Sequence, residues 1–229
     1  MVKELLILVP AKAASTRLKR KNMQLLGNKP LLKWAIDSAV QSDLDADIIV
    51  STEDQEVAKY VESQEVEVLS RPDKLAVDPA GVVDVALHAL EVLETKGRHY
   101  KTLMILLPTC PFRSLNDVQD AYRLFVSKHA KFLMSVSEYG HTPFAAMEIN
   151  TEGNLNPYFP EYIGRKSQEM PKAYRANGAI HVLDVEAFKR ERSYYAQPLL
   201  AYLMPPERSI DVDTLDDLSY ANFLLLSRT

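Results

Sequence analysis

The chain has 229 residues, enough for one α/β domain carrying an excursion and for a sizeable buried core. With 47% hydrophobic and 25% charged residues and a mean hydropathy of −0.16, it reads as an ordinary globular chain, neither disordered nor fibrous. A net charge of −4 and a pI near 5.8 exclude a global attraction to nucleic acid, so any polyanion must be met by a local cluster of Lys and Arg.

Cys110 is the only cysteine, which rules out an internal disulfide and a Cys-based metal cluster within one chain and fits a reducing cytoplasm. The apolar run at residues 5–9 is too short for a signal peptide or a membrane span and stops at Pro10. No later run approaches about 18 uninterrupted apolar residues. The expectation is a cytoplasmic protein, neither exported nor embedded.

In chain order, residues 5–9 read as a buried strand, and residues 30–40, with Leu31, Leu32, Trp34, Ala35, Ile36 and Ala39, as an amphipathic helix. A strand at 47–51, a helix at 54–63, a strand at 66–69 and a long helix at 79–95 follow. A strand at 102–107, a helix at 116–127 and a strand at 131–136 continue the alternation. It predicts an α/β fold: a single, mostly parallel, doubly wound sheet. The rhythm breaks over residues 138–176, which are rich in Pro, Gly, Asn and Tyr, with one apolar patch at 145–149. So long an irregular stretch suggests a functional arm or flap, and one use is packing on a second subunit. Strands are expected again at 178–183, 199–204 and 209–212, and a closing helix at 214–226 begins with a capping box between Thr214 and Asp217. The whole of 1–229 is taken as one domain.

Two groups of residues stand out for chemistry. The loop after the first strand holds five cations between Lys12 and Lys21. Hung over the carboxyl ends of the strands, it suits a triphosphate held by backbone N–H groups around residues 13–16 and by Lys and Arg side chains. A solvated basic loop is the alternative. Neither a P-loop nor a G-x-G-x-x-G fingerprint is present. Near the other terminus, Asp211 and Asp213 alternate with Ile210 and Val212. On a strand they face one side, where two hard carboxylates can share one Mg²⁺ with waters and phosphate oxygens. The alternative is that one of them faces solvent or caps the next helix. The five histidines lack zinc-site spacing, and no G-x-S-x-G elbow occurs.

Read in order, Val9-Pro-Ala-Lys12, Ser15, Lys21-Asn22, Gly27-Asn-Lys-Pro-Leu31, Val50-Ser-Thr-Glu53, Arg71-Pro72, Pro108-Thr-Cys-Pro-Phe-Arg113, Asn177-Gly-Ala-Ile180 and Ser209-Ile-Asp-Val-Asp-Thr214 resemble the acylneuraminate (nonulosonic acid) cytidylyltransferases over nearly the whole chain. The resemblance implies a nucleotide-diphospho-sugar transferase-like fold with a protruding dimerisation arm. It also implies transfer of CMP from CTP to the anomeric hydroxyl of an acidic nine-carbon sugar of the sialic, pseudaminic or legionaminic type, with Mg²⁺, by a homodimer. Lys12, Ser15 and Lys21 would serve the phosphates, with Arg17 a further substrate-binding residue that adds charge nearby, Asn22 and Arg71 the cytidine half, and Asp211 and Asp213 the metal. Lys12, Lys21 and Asp211 are then the catalytic set. Asn177 would help fix the sugar or ribose, and Arg165 and Gln168 belong to the arm that lines a partner's sugar pocket.

Several positions depart from the family pattern. Lys12 replaces a usual arginine, Thr16 a usual lysine, Leu107 a sugar-contacting glutamine and Ser167 an arginine for the sugar carboxylate. Residues 78–81 lack the usual Ser and Thr. These changes point away from ordinary sialic acid, towards another nonulosonic acid or a Kdo-like sugar. A catalytically degenerate nucleotide-binding module is the reading from a different class, and it expects CTP binding without pyrophosphate release.

Overall fold

The computed structural model describes residues 2–13 and 15–227, and the side chain of Ser167 also lies outside what it describes. Its core is a seven-stranded sheet built from β1 (Val2–Pro10), β2 (Ala46–Thr52), β3 (Glu67–Ser70), β4 (His99–Ile105), β5 (Phe132–Glu138), β6 (Tyr174–Asp184) and β7 (Leu199–Leu203). The spatial order is β7-β5-β6-β4-β1-β2-β3. Every pairing is parallel except those of β6, which runs antiparallel to β4 and β5.

Helices cover both faces: α1 (Leu31–Val40), α2 (Gln55–Glu62), α3 (Val82–Thr95), α4 (Leu115–Ser127), α5 (Val185–Glu191) and α6 (Leu215–Leu226). The alternation along β1 divides the interior. Leu5, Ile7 and Val9 join the apolar faces of α1, α2 and α4, whereas Leu6 and Leu8 join those of α3 and α5. A smaller cluster of Leu18, Leu26, Leu31, Phe112, Val212, Leu218 and Ala221 fastens the amino-terminal loop beneath α6.

Three sequence expectations change. Residues 209–212 form no strand: the segment is irregular, and its one ladder-like bond runs from the Val212 N–H to the Thr109 carbonyl at 2.8 Å. Helix α3 begins at Val82 rather than 79, leaving residues 79–81 as a loop. The short α5, capped by the Asp184 side chain on the Ala187 N–H at 2.9 Å, was not foreseen. Between β5 and β6 the chain leaves the sheet as an excursion containing a two-stranded hairpin of Met147–Ile149 and Leu155–Pro157.

Candidate active site at the carboxyl edge of the sheet

β1 is flanked by β2 on one side and β4 on the other, so the chain reverses its direction of winding there. Such a switch point opens a crevice beyond the strand ends. A cavity of about 410 Å³ occupies it. The loop after β1 contributes Lys12, Ser15, Lys21 and Asn22, the loop after β3 contributes Arg71, and Asp211 and Asp213 close the wall from the carboxyl-terminal side. The cationic loop and the paired acids therefore meet around one space, although 189 residues of sequence lie between Lys21 and Asp211.

The acids are aimed by packing. Val212 is fully buried in the cluster under α6 and pinned to Thr109, so the residues on either side of it turn the other way, into the cavity. Asp213 accepts from Lys21 Nζ at 2.6 Å and pairs with Arg17 Nη2 at 2.5 Å. Arg17 thus reaches the site through Asp213 and is not itself part of the cavity wall. Asp211 makes no such ion pair among the described residues. Loss of hydration raises its pKa above the ordinary carboxylate value. The Thr109 side chain opposes the rise, and the neighbouring charge of Asp213 adds to it.

The other candidates are placed less uniformly. Asn22 is buried and holds the Lys12 carbonyl through Nδ2 at 2.8 Å. Asn177, expected to touch substrate, does not line the cavity. It sits in a bulge where Gly178 takes φ +70°, and the turn points its amide inward. Its Oδ1 accepts from Ser135 Oγ at 2.6 Å, and its Nδ2 donates to Ser209 Oγ at 2.9 Å. It is a buried tie between β5, β6 and the start of the acidic segment. Arg165 and Gln168 lie in the excursion, away from this cavity. Arg165 donates to the Glu161 carbonyl at 2.9 Å and stacks over Tyr162, while Gln168 lines a second cavity with Glu138–Thr142 and Met170–Ala173. Ala14, part of the expected backbone cradle, lies outside the described residues.

One wall is marked in the sequence only by departures from the family pattern, at Leu107 and residues 78–81. Leu75, Ala80, Val82 and Val85 line the cavity together with Leu107, and they make that side apolar. Proline and glycine at residues 72–81, just beyond a strand's carboxyl end, are the available signal for a ligand loop. Glu53 was noticed only as part of a motif, yet it binds Arg71 beside the cavity.

Comparison with known proteins gives a consistent neighbourhood. Residues 6–93 match the family model described as Cytidylyltransferase. The chain is 26% identical to the pseudaminic acid cytidylyltransferase of Campylobacter jejuni over 220 residues, covering 96% of this chain and 95% of that protein. It is 29% identical to the CMP-N,N'-diacetyllegionaminic acid synthase of Legionella pneumophila, covering 92% and 91% of the two. The N-acylneuraminate cytidylyltransferase of Escherichia coli is 27% identical, matching 95% of this chain but 51% of its own length. Among solved structures, CMP:2-keto-3-deoxy-manno-octonic acid synthetase complexed with CTP superposes with a TM-score of 0.73 at 16% identity, covering 99% of this chain and all of the other; the likeness is one of fold.

Proposed function

We propose that this chain, which belongs to the cytidylyltransferase family, transfers CMP from CTP to the anomeric hydroxyl of an acidic nonulosonic sugar and releases pyrophosphate. The observation that carries this reading is the convergence of Lys12, Ser15 and Lys21 with Asp211 and Asp213 in one cavity. A triphosphate laid along the loop meets the cations Lys12 and Lys21 on one side; the Ala13 N–H of the expected backbone cradle is instead taken by Glu53. The sugar hydroxyl attacks the α-phosphorus in line, and pyrophosphate leaves along the Lys12 and Lys21 side. Alignment and charge stabilisation suffice for such a displacement, so no residue of the pocket needs to become covalently attached.

The donor set fits Mg²⁺. Asp211 and Asp213 are hard oxygen donors on one wall, and the raised pKa of Asp211 marks a carboxyl that a divalent cation would relieve. When bound, the ion would neutralise charge on the reacting phosphate. Lys21 and Arg17, now on Asp213, would turn to the phosphates as the nucleotide arrives.

For the sugar, the apolar wall of Val82, Val85 and Leu107 favours a deoxygenated nonulosonic acid of the pseudaminic or legionaminic kind over a fully hydroxylated one. The excursion supports a homodimer: Ile149, Leu155 and Tyr158 are 72%, 62% and 61% exposed, more apolar surface than a solvated flap needs. Arg165 and Gln168 would then act in the partner's pocket. The test is pyrophosphate release with CTP, Mg²⁺ and a panel of pseudaminic, legionaminic, N-acetylneuraminic and Kdo acceptors. Release is expected with one of the first two, and CTP binding without release for any acceptor would leave a non-catalytic module.

A further inference from the structure

Glu53 follows β2 and supports two walls of the cavity at once. One carboxylate oxygen accepts the Ala13 backbone N–H at 2.7 Å. The other accepts Arg71 Nε at 2.9 Å and lies 2.8 Å from Arg71 Nη2. Both side chains are withdrawn from solvent, Arg71 at 2% and Glu53 at 9% exposure. The same peptide is gripped from its other end, where Asn22 Nδ2 donates to the Lys12 carbonyl at 2.8 Å. The Lys12–Ala13 peptide is planar, so fixing its C=O and its N–H together sets the direction in which the Lys12 side chain leaves the backbone. Arg71 enters the cavity from the opposite loop, and its guanidinium is held on two nitrogens.

A carboxylate here runs against simple electrostatics, because a site for a polyanion gains nothing from one more negative charge. Beyond offsetting the charge of the buried Arg71 guanidinium, its use is geometric. We infer that Glu53 is a positioning residue for the nucleotide, acting through Arg71 and the Lys12–Ala13 peptide without touching substrate. The inference rests on the reading of this cavity as the CTP site. Charge alone would give the opposite sign: Glu53→Gln removes one negative charge from the site, yet should weaken CTP binding.

The experiment combines calorimetric titration of CTP, in the absence of sugar, with hydrogen exchange by NMR on wild type, Glu53→Gln, Arg71→Ala and the double variant. In Glu53→Gln, the Kd for CTP is expected to rise about ten-fold or more, with KM rising and kcat nearly kept. The Ala13 amide and the Arg71 Nε–H should exchange faster. In the Arg71→Ala background the same change should cost less, about three-fold or under, because one of its two routes is already gone. Unchanged or tighter CTP binding in Glu53→Gln, or Ala13 exchange equal to wild type, overturns the inference. A wild-type chain that binds no CTP counts against the proposed function alone, and the exchange rates at Ala13 and Arg71 then decide whether the clasp exists. Should Glu53→Gln fail to fold, Glu53→Asp, which keeps the charge and retracts it by one methylene, is expected to raise KM in the same direction; a wild-type KM there overturns the inference.

Discussion

Between the Thr109 loop and Asp213, the Asp211 carboxyl has lost part of its hydration, and its pKa is raised. The folded state therefore binds its proton more tightly than the unfolded chain does. Stability falls as pH rises from the ordinary carboxylate pKa through the raised one, and the loss persists at neutral pH. Asp211→Asn removes that cost, so the ligand-free protein at pH 7 is expected to melt no lower than wild type while CTP-dependent turnover falls by at least about 100-fold. Calorimetry beside a pyrophosphate assay checks both, and turnover retained in this variant would remove Asp211 from the chemistry. Asn177 makes the opposite kind of contribution. Asn177→Ala removes the acceptor of the Ser135 hydroxyl and of the Ala179 N–H and the donor to Ser209 Oγ, all in a buried setting, and should cost about 1–3 kcal/mol in denaturant unfolding. The cationic loop and Asp211 with Asp213 were legible because their residue types are unusual for their surroundings. Glu53 was not, because its meaning depends on Ala13 and Arg71, which only the folded chain brings to either side of it.

The helices and parallel strands were legible from periodicity, since β1 is apolar on both faces and α1 and α4 each show one buried stripe. The same alternation misled at residues 209–212. Ser209, Ile210, Asp211 and Val212 have a strand's pattern, but the segment is held by Thr109 and by the core under α6, not by a neighbouring strand. That clamp depends in turn on the amino-terminal hairpin of Leu25–Leu26 and Lys29–Pro30, where Gly27 has φ +62° and donates its N–H to Asn222 Oδ1 at 2.9 Å. A Cβ on Gly27 would stand 2.7 Å from Leu225 Cδ2. Gly27→Ala thus combines a left-handed backbone with a clash on α6 and should lower stability by about 1–3 kcal/mol, read as a shift in the urea midpoint. At the opposite end of the sheet, partial burial of Asp47 is outweighed by bonds from Lys3, Tyr100 and Arg98, which hold its pKa down to about 2. Its contribution is present above the ordinary carboxylate pKa and lost as pH falls towards 2. Asp47→Asn should flatten the acid limb of the stability profile in that window.

At the scale of the molecule, the sheet places the cavity bearing Lys12, Lys21, Asp211 and Asp213 within one chain, whereas the excursion carries Arg165 and Gln168 away from it. The sequence marked this region as irregular, but irregularity does not say where a flap docks, and its hairpin is too short to show a strand period. If the exposed Ile149 and Leu155 meet a second copy, Ile149→Glu should convert a dimer to a monomer in sedimentation and reduce sugar-dependent turnover more than CTP binding. A dimer unchanged by that charge would move the subunit contact elsewhere. The two halves of the nucleotide site are tested most directly by a crystal structure with CTP and Mn²⁺ in place of Mg²⁺, located by anomalous scattering. The expected result is a metal between the Asp211 and Asp213 carboxylates and the phosphates, with Lys12, Ser15 and Lys21 along the triphosphate. A nucleotide bound elsewhere, or a metal remote from both carboxylates, would contradict it.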